Sequence, residues 1–129
     1  MSKLFVVVFV CVIGLFSCGS GNEIKELAQH TEEIEIKKLD SMGTLLKSKT
    51  ITNKAEIKNL LSVISNAEAP LYKCGFDYEL RCKLSNNKFV AIELNSADIC
   101  AVASFIYNDE LMYRYLNKDN LVQLENQLN

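Results

Sequence analysis

Apolar and charged side chains alternate without a break in Phe76-Asp77-Tyr78-Glu79-Leu80-Arg81-Cys82-Lys83-Leu84. A period of two places the apolar side chains on one face of a β-strand and the charged side chains on the other. Such a strand belongs to an antiparallel sheet that covers one face and exposes the other to water. The sequence therefore predicts a sheet with a solvated, charged face.

Strand patterns also occur on both sides of this stretch, at residues 33–37, 44–51, 89–94, 100–107 and 111–116. Clusters of Asp, Asn, Ser and Gly separate them, which is typical of the turns between antiparallel strands. The first two segments are predicted to form a hairpin.

Two helices are predicted. Asn53 can cap the first, with Glu56 completing a capping box. Its apolar stripe is Ile57, Leu60, Leu61 and Ile64, and Asn66 and Pro70 end it. Asn117 can cap the second helix, whose stripe is Leu121, Leu124 and Leu128. The expected fold is α+β: an antiparallel sheet of about six strands, in the order ββ-α-ββββ-α, with two helices packed on one face.

The beginning of the chain is typical of an export signal. Lys3 gives one positive charge, and the residues from Leu4 to Phe16 are apolar. A charge followed by a short apolar run is the pattern of a signal peptide. The run has about 13 residues, whereas a helix needs about 20 to span a bilayer. We therefore expect residues 1–17 to be a cleaved leader rather than a permanent membrane span.

The leader ends in Leu15-Phe16-Ser17-Cys18. An aliphatic residue at the third position before a cysteine and a small residue directly before it resemble the lipobox of bacterial lipoproteins, although Phe16 is larger than usual. The resemblance covers residues 1–18. It implies cleavage between Ser17 and Cys18, a diacylglyceryl group on the Cys18 thiol and an acyl chain on its amine. The alternative is a plain secretory signal with an incidental cysteine.

Two or more acyl chains hold a protein stably to a bilayer. The resemblance therefore implies a lipid-anchored protein of the bacterial cell envelope, at either membrane, with its domain outside the cytoplasm. Removing 17 of the 129 residues would leave 112, the size of one small domain. We expect residues 18–30 to be the lipidated cysteine and a flexible tether that begins Gly19-Ser20-Gly21-Asn22. Residues 31–129 are then a single α+β domain.

Three further cysteines follow Cys18, whereas Cys11 lies within the leader. Cys82 shares a strand face with Leu80 and Leu84 and is expected to be a small core residue. Cys74 and Cys100 lie at the ends of elements, and export permits disulfides. We predict a Cys74–Cys100 bridge that closes a loop of 27 residues, worth about 3.5 kcal/mol by chain entropy. The rival hypothesis is three free thiols.

No catalytic constellation is apparent. The single histidine, His30, lies in the expected tether, which argues against triads and metal binding. The carboxylate pairs Asp77 with Glu79 and Glu32 with Glu33 lack the apolar surroundings that raise a pKa for acid–base work. No cofactor motif is present, so we expect no metal and no cofactor.

The charges are interspersed and the formal net charge is −2, which argues against nucleic acid as a partner. The sequence favours a non-catalytic binding module of the inhibitor, immunity or assembly-accessory type. It would contact an envelope protein through the charged sheet face or a loop at the sheet end. The alternatives are a small envelope enzyme with an unrecognised carboxylate site and a structural spacer.

Overall fold

The computed structural model describes residues 23–71 and 74–129. The helices are α1 (Glu23–His30), α2 (Lys54–Leu61) and α3 (Val122–Leu128). The strands are β1 (Thr31–Leu39), β2 (Leu45–Ile51), β3 (Ile64–Glu68), β4 (Tyr78–Leu84), β5 (Phe89–Asn95), β6 (Val102–Tyr107) and β7 (Glu110–Leu116). Two short 3₁₀ turns lie at Asp98–Cys100 and Lys118–Asn120.

The strands form one antiparallel sheet in the order β2-β1-β4-β5-β6-β7-β3. The expected α+β class is confirmed, and so is the hairpin of β1 and β2, which turns through Gly43 at a positive φ of 80°. Glycine has no Cβ and therefore adopts this left-handed conformation at no steric cost. The described residues contain seven strands and three helices rather than about six strands and two helices.

The additional strand is β3, whose residues the helical periodicity assigns to the end of a helix. Helix α2 begins as predicted, because Asn53 Oδ1 accepts from the amides of Ala55 and Glu56. The helix nevertheless ends at Leu61, before the last residue of its predicted stripe. From there Ile64 pairs with Leu116 of β7, and the amide of Asn117 donates to the carbonyl of Val63 at 2.7 Å. Pairing with β7 therefore overrides the helical periodicity at this point.

Three helices cover the same face of the sheet and share one core. Ile24 and Leu27 of α1, Ile57 and Leu60 of α2, and Leu124 of α3 are buried against the inward residues of the strands. Residues 23–30 fall within the expected tether, yet they form helix α1. The apolar spacing of this helix, together with its burial, makes it a packed element of the domain.

The other face of the sheet is open and divides into two halves. Strand β4 alternates as predicted, with Glu79, Arg81 and Lys83 on the open face. Phe76 precedes the strand and is 40% exposed, so it does not join the buried row. Across β6 and β7 the open face becomes apolar, and Ile106 lies directly opposite Leu111. The charged part of the face covers β1, β4 and β5, where the exposed Glu93 lies opposite Glu79.

Helix α3 begins later than its predicted cap. Asn117 precedes a 3₁₀ turn, and its side chain caps neither that turn nor α3. Its Nδ2 instead donates to the carbonyl of Ser62 at 2.8 Å. Asn117 therefore connects the end of α2 to the end of β7.

Candidate functional site

A groove of about 680 Å³ lies between α1, the end of α2 and β3. Ile24 and Ala28 of α1, Leu61 of α2 and Ile64 of β3 form its apolar part. Small polar side chains surround it, namely Ser62, Ser65, Asn66 and Asn117. Binding pockets for small molecules have volumes of roughly 300–1,000 Å³, mostly apolar walls and a few polar groups. The groove has these properties.

Three lysines border the groove: Lys25, Lys54 and Lys58. Lys54 Nζ donates to the carbonyls of Gln29 and Thr31, at 3.1 and 2.7 Å, and so satisfies the carboxyl end of α1. Lys25 and Lys58 have no ion-pair partner among residues 23–71 and 74–129. Within the described part of the chain, no Asp or Glu lines the groove. Its charge is therefore positive, although the whole chain is slightly acidic.

The groove exists because α2 gives way to a strand. Leu61 and Ile64 would follow each other on one helix face, but the change to β3 separates them and opens a recess beside α1. The sequence does not predict this site, because the helical periodicity of α2 continues through Ile64. One signal was present, since Lys54 and Lys58 are four residues apart and therefore lie on one side of α2.

Cys74 and Cys100 form a disulfide, with 6.4 Å between their Cα atoms. The predicted pairing is thus present, and the rival hypothesis of three free thiols is wrong for this structure. The bridge joins the segment before β4 to the 3₁₀ turn before β6. A cleft of only about 50 Å³ lies beside it, bordered by Phe76 and Tyr113. A cleft of this size has room for little more than water.

Cys82 is a free thiol in the core, as the alternation predicts. Burial raises its pKa to about 12, although a hydrogen bond with Thr31 acts in the opposite direction. A thiol with so high a pKa forms little thiolate at neutral pH, and the thiolate is the reactive form. Cys82 therefore serves packing rather than chemistry.

A polar cluster links helix α3 to the sheet and consists of Lys38, Tyr78 and Glu125. Lys38 Nζ donates to Glu125 Oε1 at 2.7 Å, and the Tyr78 hydroxyl donates to the same oxygen. These hydrogen bonds lower the pKa of Glu125, whereas burial and the contact with Glu125 raise the pKa of Tyr78. All three groups are engaged with one another, so the cluster attaches α3 to β1 and β4.

The other candidate residues do not come together as a site. Asp77 accepts hydrogen bonds from the amide and hydroxyl of Ser96, while Glu79 lies on the open face. Glu32 is exposed and Glu33 half-buried on β1, and His30 is exposed at the end of α1. Ser17 and Cys18 lie outside the described residues.

Within residues 23–71 and 74–129, no three or more His, Cys, Asp or Glu side chains are arranged to hold a metal. None of the helices in these ranges is long and apolar enough to cross a bilayer.

No family model, curated protein or solved structure matches the chain. Its function is therefore inferred from the groove, the disulfide and the leader.

Proposed function

We propose that this chain is a lipid-anchored protein of the bacterial cell envelope that binds its partner without catalysing a reaction. The groove between α1, α2 and β3 is the binding site. The observation that carries this proposal is the combination of apolar walls with two lysines, Lys25 and Lys58, that have no ion-pair partner and no neighbouring carboxylate in the groove within residues 23–71 and 74–129. Complementary chemistry is an apolar body that carries negative charge.

A binding role agrees better with this groove than a catalytic one. Acid–base or nucleophilic catalysis requires a titratable group held beside a second group that activates it. The groove is bordered by lysines, amides and hydroxyls, and Lys54 is occupied by two backbone carbonyls. These groups can recognise and orient a ligand.

The cell-envelope location rests on the leader and is supported by the disulfide. Disulfides persist in oxidising compartments outside the cytoplasm, and the Cys74–Cys100 bridge is compatible with export. Lipid on Cys18 would then keep the domain at the membrane surface. The same location brings envelope proteins and membrane lipids within reach of the groove.

The anchor is tested by Cys18→Ala in cells fed a radiolabelled fatty acid. The wild-type chain should incorporate label, and the variant should incorporate none and accumulate as uncleaved precursor. Cys82→Ala is the matched control, because its thiol is buried and it should keep normal labelling. Normal processing of Cys18→Ala would contradict the assignment.

The binding site is tested by placing a photo-crosslinking amino acid at Gln29, which borders the groove, and at Ser48, which is exposed on β2. Irradiation of intact cells should give a discrete adduct at Gln29 and none at Ser48. Charge reversal of Lys25 and Lys58 to Glu should reduce the adduct several-fold. Adduct formation at both positions alike, or at neither, would exclude the groove as the binding site.

A further inference from the structure

We propose that the ligand of the groove is an anionic phospholipid of the membrane to which the protein is anchored. Its headgroup would contact Lys25 and Lys58, and the beginning of an acyl chain would lie along Ile24, Ala28 and Leu61. This inference rests on the proposed function, because it requires lipid on Cys18. Two independent features of the chain support it.

The first feature is charge complementarity. Lys25 and Lys58 are exposed and have no ion-pair partner among the described residues, and no carboxylate borders the groove. An anionic headgroup would supply the negative charge that pairs with these two lysines. Directly beside these lysines, the groove offers apolar walls that match an acyl chain. A soluble anion such as phosphate would leave that apolar surface unused, whereas a phospholipid matches both parts.

The second feature is the distance from the anchor. Glu23, the first residue of α1, follows Cys18 by five positions in the sequence. Five residues span at most about 18 Å even when fully extended. Ile24 and Lys25 belong to the first turn of α1 and border the groove. A chain anchored at Cys18 therefore keeps this end of the groove close to the lipid headgroups, where their local concentration is high.

The position of the lysines agrees with contact at a membrane surface. Lysine side chains place their charge among headgroups while their aliphatic stems cover apolar surface. Two other lysines lie away from the groove. Lys49 is on β2, the opposite edge strand, and Lys83 is on the open face of β4. These two lysines are internal controls within the same molecule.

The test uses the lipidated full-length protein, purified and reconstituted into two sets of vesicles. One set contains phosphatidylcholine alone, and the other contains equal parts of phosphatidylcholine and phosphatidylglycerol. A water-soluble acetylating reagent then modifies accessible lysines, and mass spectrometry measures the modification of each one. We expect Lys25 and Lys58 to be modified several-fold less in the anionic vesicles, with Lys49 and Lys83 unchanged. High salt should remove part of this protection.

A second measurement uses phosphatidylglycerol with a photoreactive group on its acyl chain. Adducts should map to α1, the end of α2 and β3, and the double variant Lys25→Gln/Lys58→Gln should lose most of them. Lys49→Gln/Lys83→Gln is the matched control and should keep them. Equal modification of Lys25 and Lys58 in both vesicle sets, uniform protection of all four lysines, or adducts away from the groove would overturn the inference.

The mass of the purified protein distinguishes a missing lipid anchor from a groove that does not bind lipid. An unmodified Cys18 contradicts both the anchor and the lipid inference. A lipidated chain whose Lys25 and Lys58 stay unprotected overturns the inference alone. A protein adduct at Gln29 in cells, together with unprotected lysines in vesicles, assigns the groove to a protein partner instead.

Discussion

Arg114 is buried in the core with 7% of its surface exposed, on the same face of β7 as Met112 and Leu116. Its Nη2 lies 3.7 Å from Glu23 Oε1, and its Nη1 donates to the carbonyl of Tyr113. The Nε of Arg114 and the second carboxylate oxygen of Glu23 lack a hydrogen-bond partner among the described residues. A buried pair with unsatisfied atoms recovers little of its desolvation cost. This pair is therefore better understood as orienting α1 over β7 than as a source of stability.

Glu23→Ala should lower the free energy of unfolding by about 2 kcal/mol, because it leaves the buried Arg114 guanidinium without its partly exposed partner. Glu23→Ala combined with Arg114→Met should return to within about 1 kcal/mol of wild type, since methionine fills the site without a charge. Urea denaturation of the purified variants measures both values. Glu32→Ala, at an exposed position of β1, is the control and should change little. A double variant less stable than Glu23→Ala alone would contradict this interpretation.

Ionisation of Glu125 makes the free energy of unfolding depend on pH in the acid range. Its hydrogen bonds with Lys38 and Tyr78 hold its pKa below the ordinary value of 4.5. At pH values above that ordinary pKa, Glu125 is ionised in both the folded and the unfolded chain. The stabilising contribution of its hydrogen bonds is then fully present. As the pH falls, the unfolded chain takes up its proton first, and the contribution is lost as the pH passes through the lowered pKa of the folded state.

We therefore expect wild type to lose more stability than Glu125→Gln between about pH 5 and about pH 3. Denaturation curves recorded across that range measure the difference. Glu110→Gln, at the exposed first residue of β7, should follow wild type. Parallel curves for wild type and Glu125→Gln would show that the Lys38 and Tyr78 contacts do not persist in solution.

At the scale of elements, the Cys74–Cys100 bridge joins the segment before β4 to the 3₁₀ turn before β6. The two cysteines are 26 positions apart, so the bridge closes a loop of 27 residues that contains all of β4 and β5. A loop of this length is worth about 3.5 kcal/mol by the chain-entropy relation. The bridge thus restricts the unfolded chain around the middle of the sheet.

Cys74→Ser/Cys100→Ser should lower the free energy of unfolding by about 3.5 kcal/mol. Reductant should destabilise wild type by a similar amount and leave the double variant unchanged. Urea denaturation with and without reductant measures these four values. A double variant as stable as oxidised wild type would mean that the bridge does not form or does not constrain the unfolded chain.

The elements that the sequence predicts best are those whose signal is local. The alternation in β4 and the cap of α2 at Asn53 depend on neighbouring residues, and both are present. The end of α2 could not be predicted in this way. Its periodicity continues to Ile64, but pairing of Ile64 with Leu116 and the contact of Asn117 with Ser62 decide the conformation there. The candidate groove depends on the same change.

At the scale of the whole molecule, the open sheet has two edges, β2 and β3. Strand β2 is exposed over most of its length, and Leu45 and Leu46 are about half exposed. An exposed, apolar edge strand can pair with another copy of the chain, and lysines on the edge oppose such pairing by charge repulsion. Lys47 and Lys49 have the positions required for this protection.

Lys47→Thr/Lys49→Thr should therefore increase self-association, because threonine favours strand pairing and removes the repulsion. Size-exclusion chromatography with light scattering over a range of concentrations measures the effect. Lys83→Thr, on the central strand β4, removes a charge without altering an edge and should leave the mass distribution unchanged. A double variant with the mass distribution of wild type would contradict a protective role for these lysines.

The sequence by itself determined the one-sided sheet, the hairpin of β1 and β2, the buried place of Cys82 and the pairing expected for Cys74 and Cys100. The strand alternation and the turn residues depend on neighbouring positions in the sequence. The disulfide follows from the cysteine positions and the expected export. These features can therefore be inferred without the fold. Only the tertiary structure decided the strand β3, the packing of α1 on the core and the groove with Lys25 and Lys58. These features depend on contacts between residues distant in sequence, whose energies outweigh local periodicity where the chain meets β7.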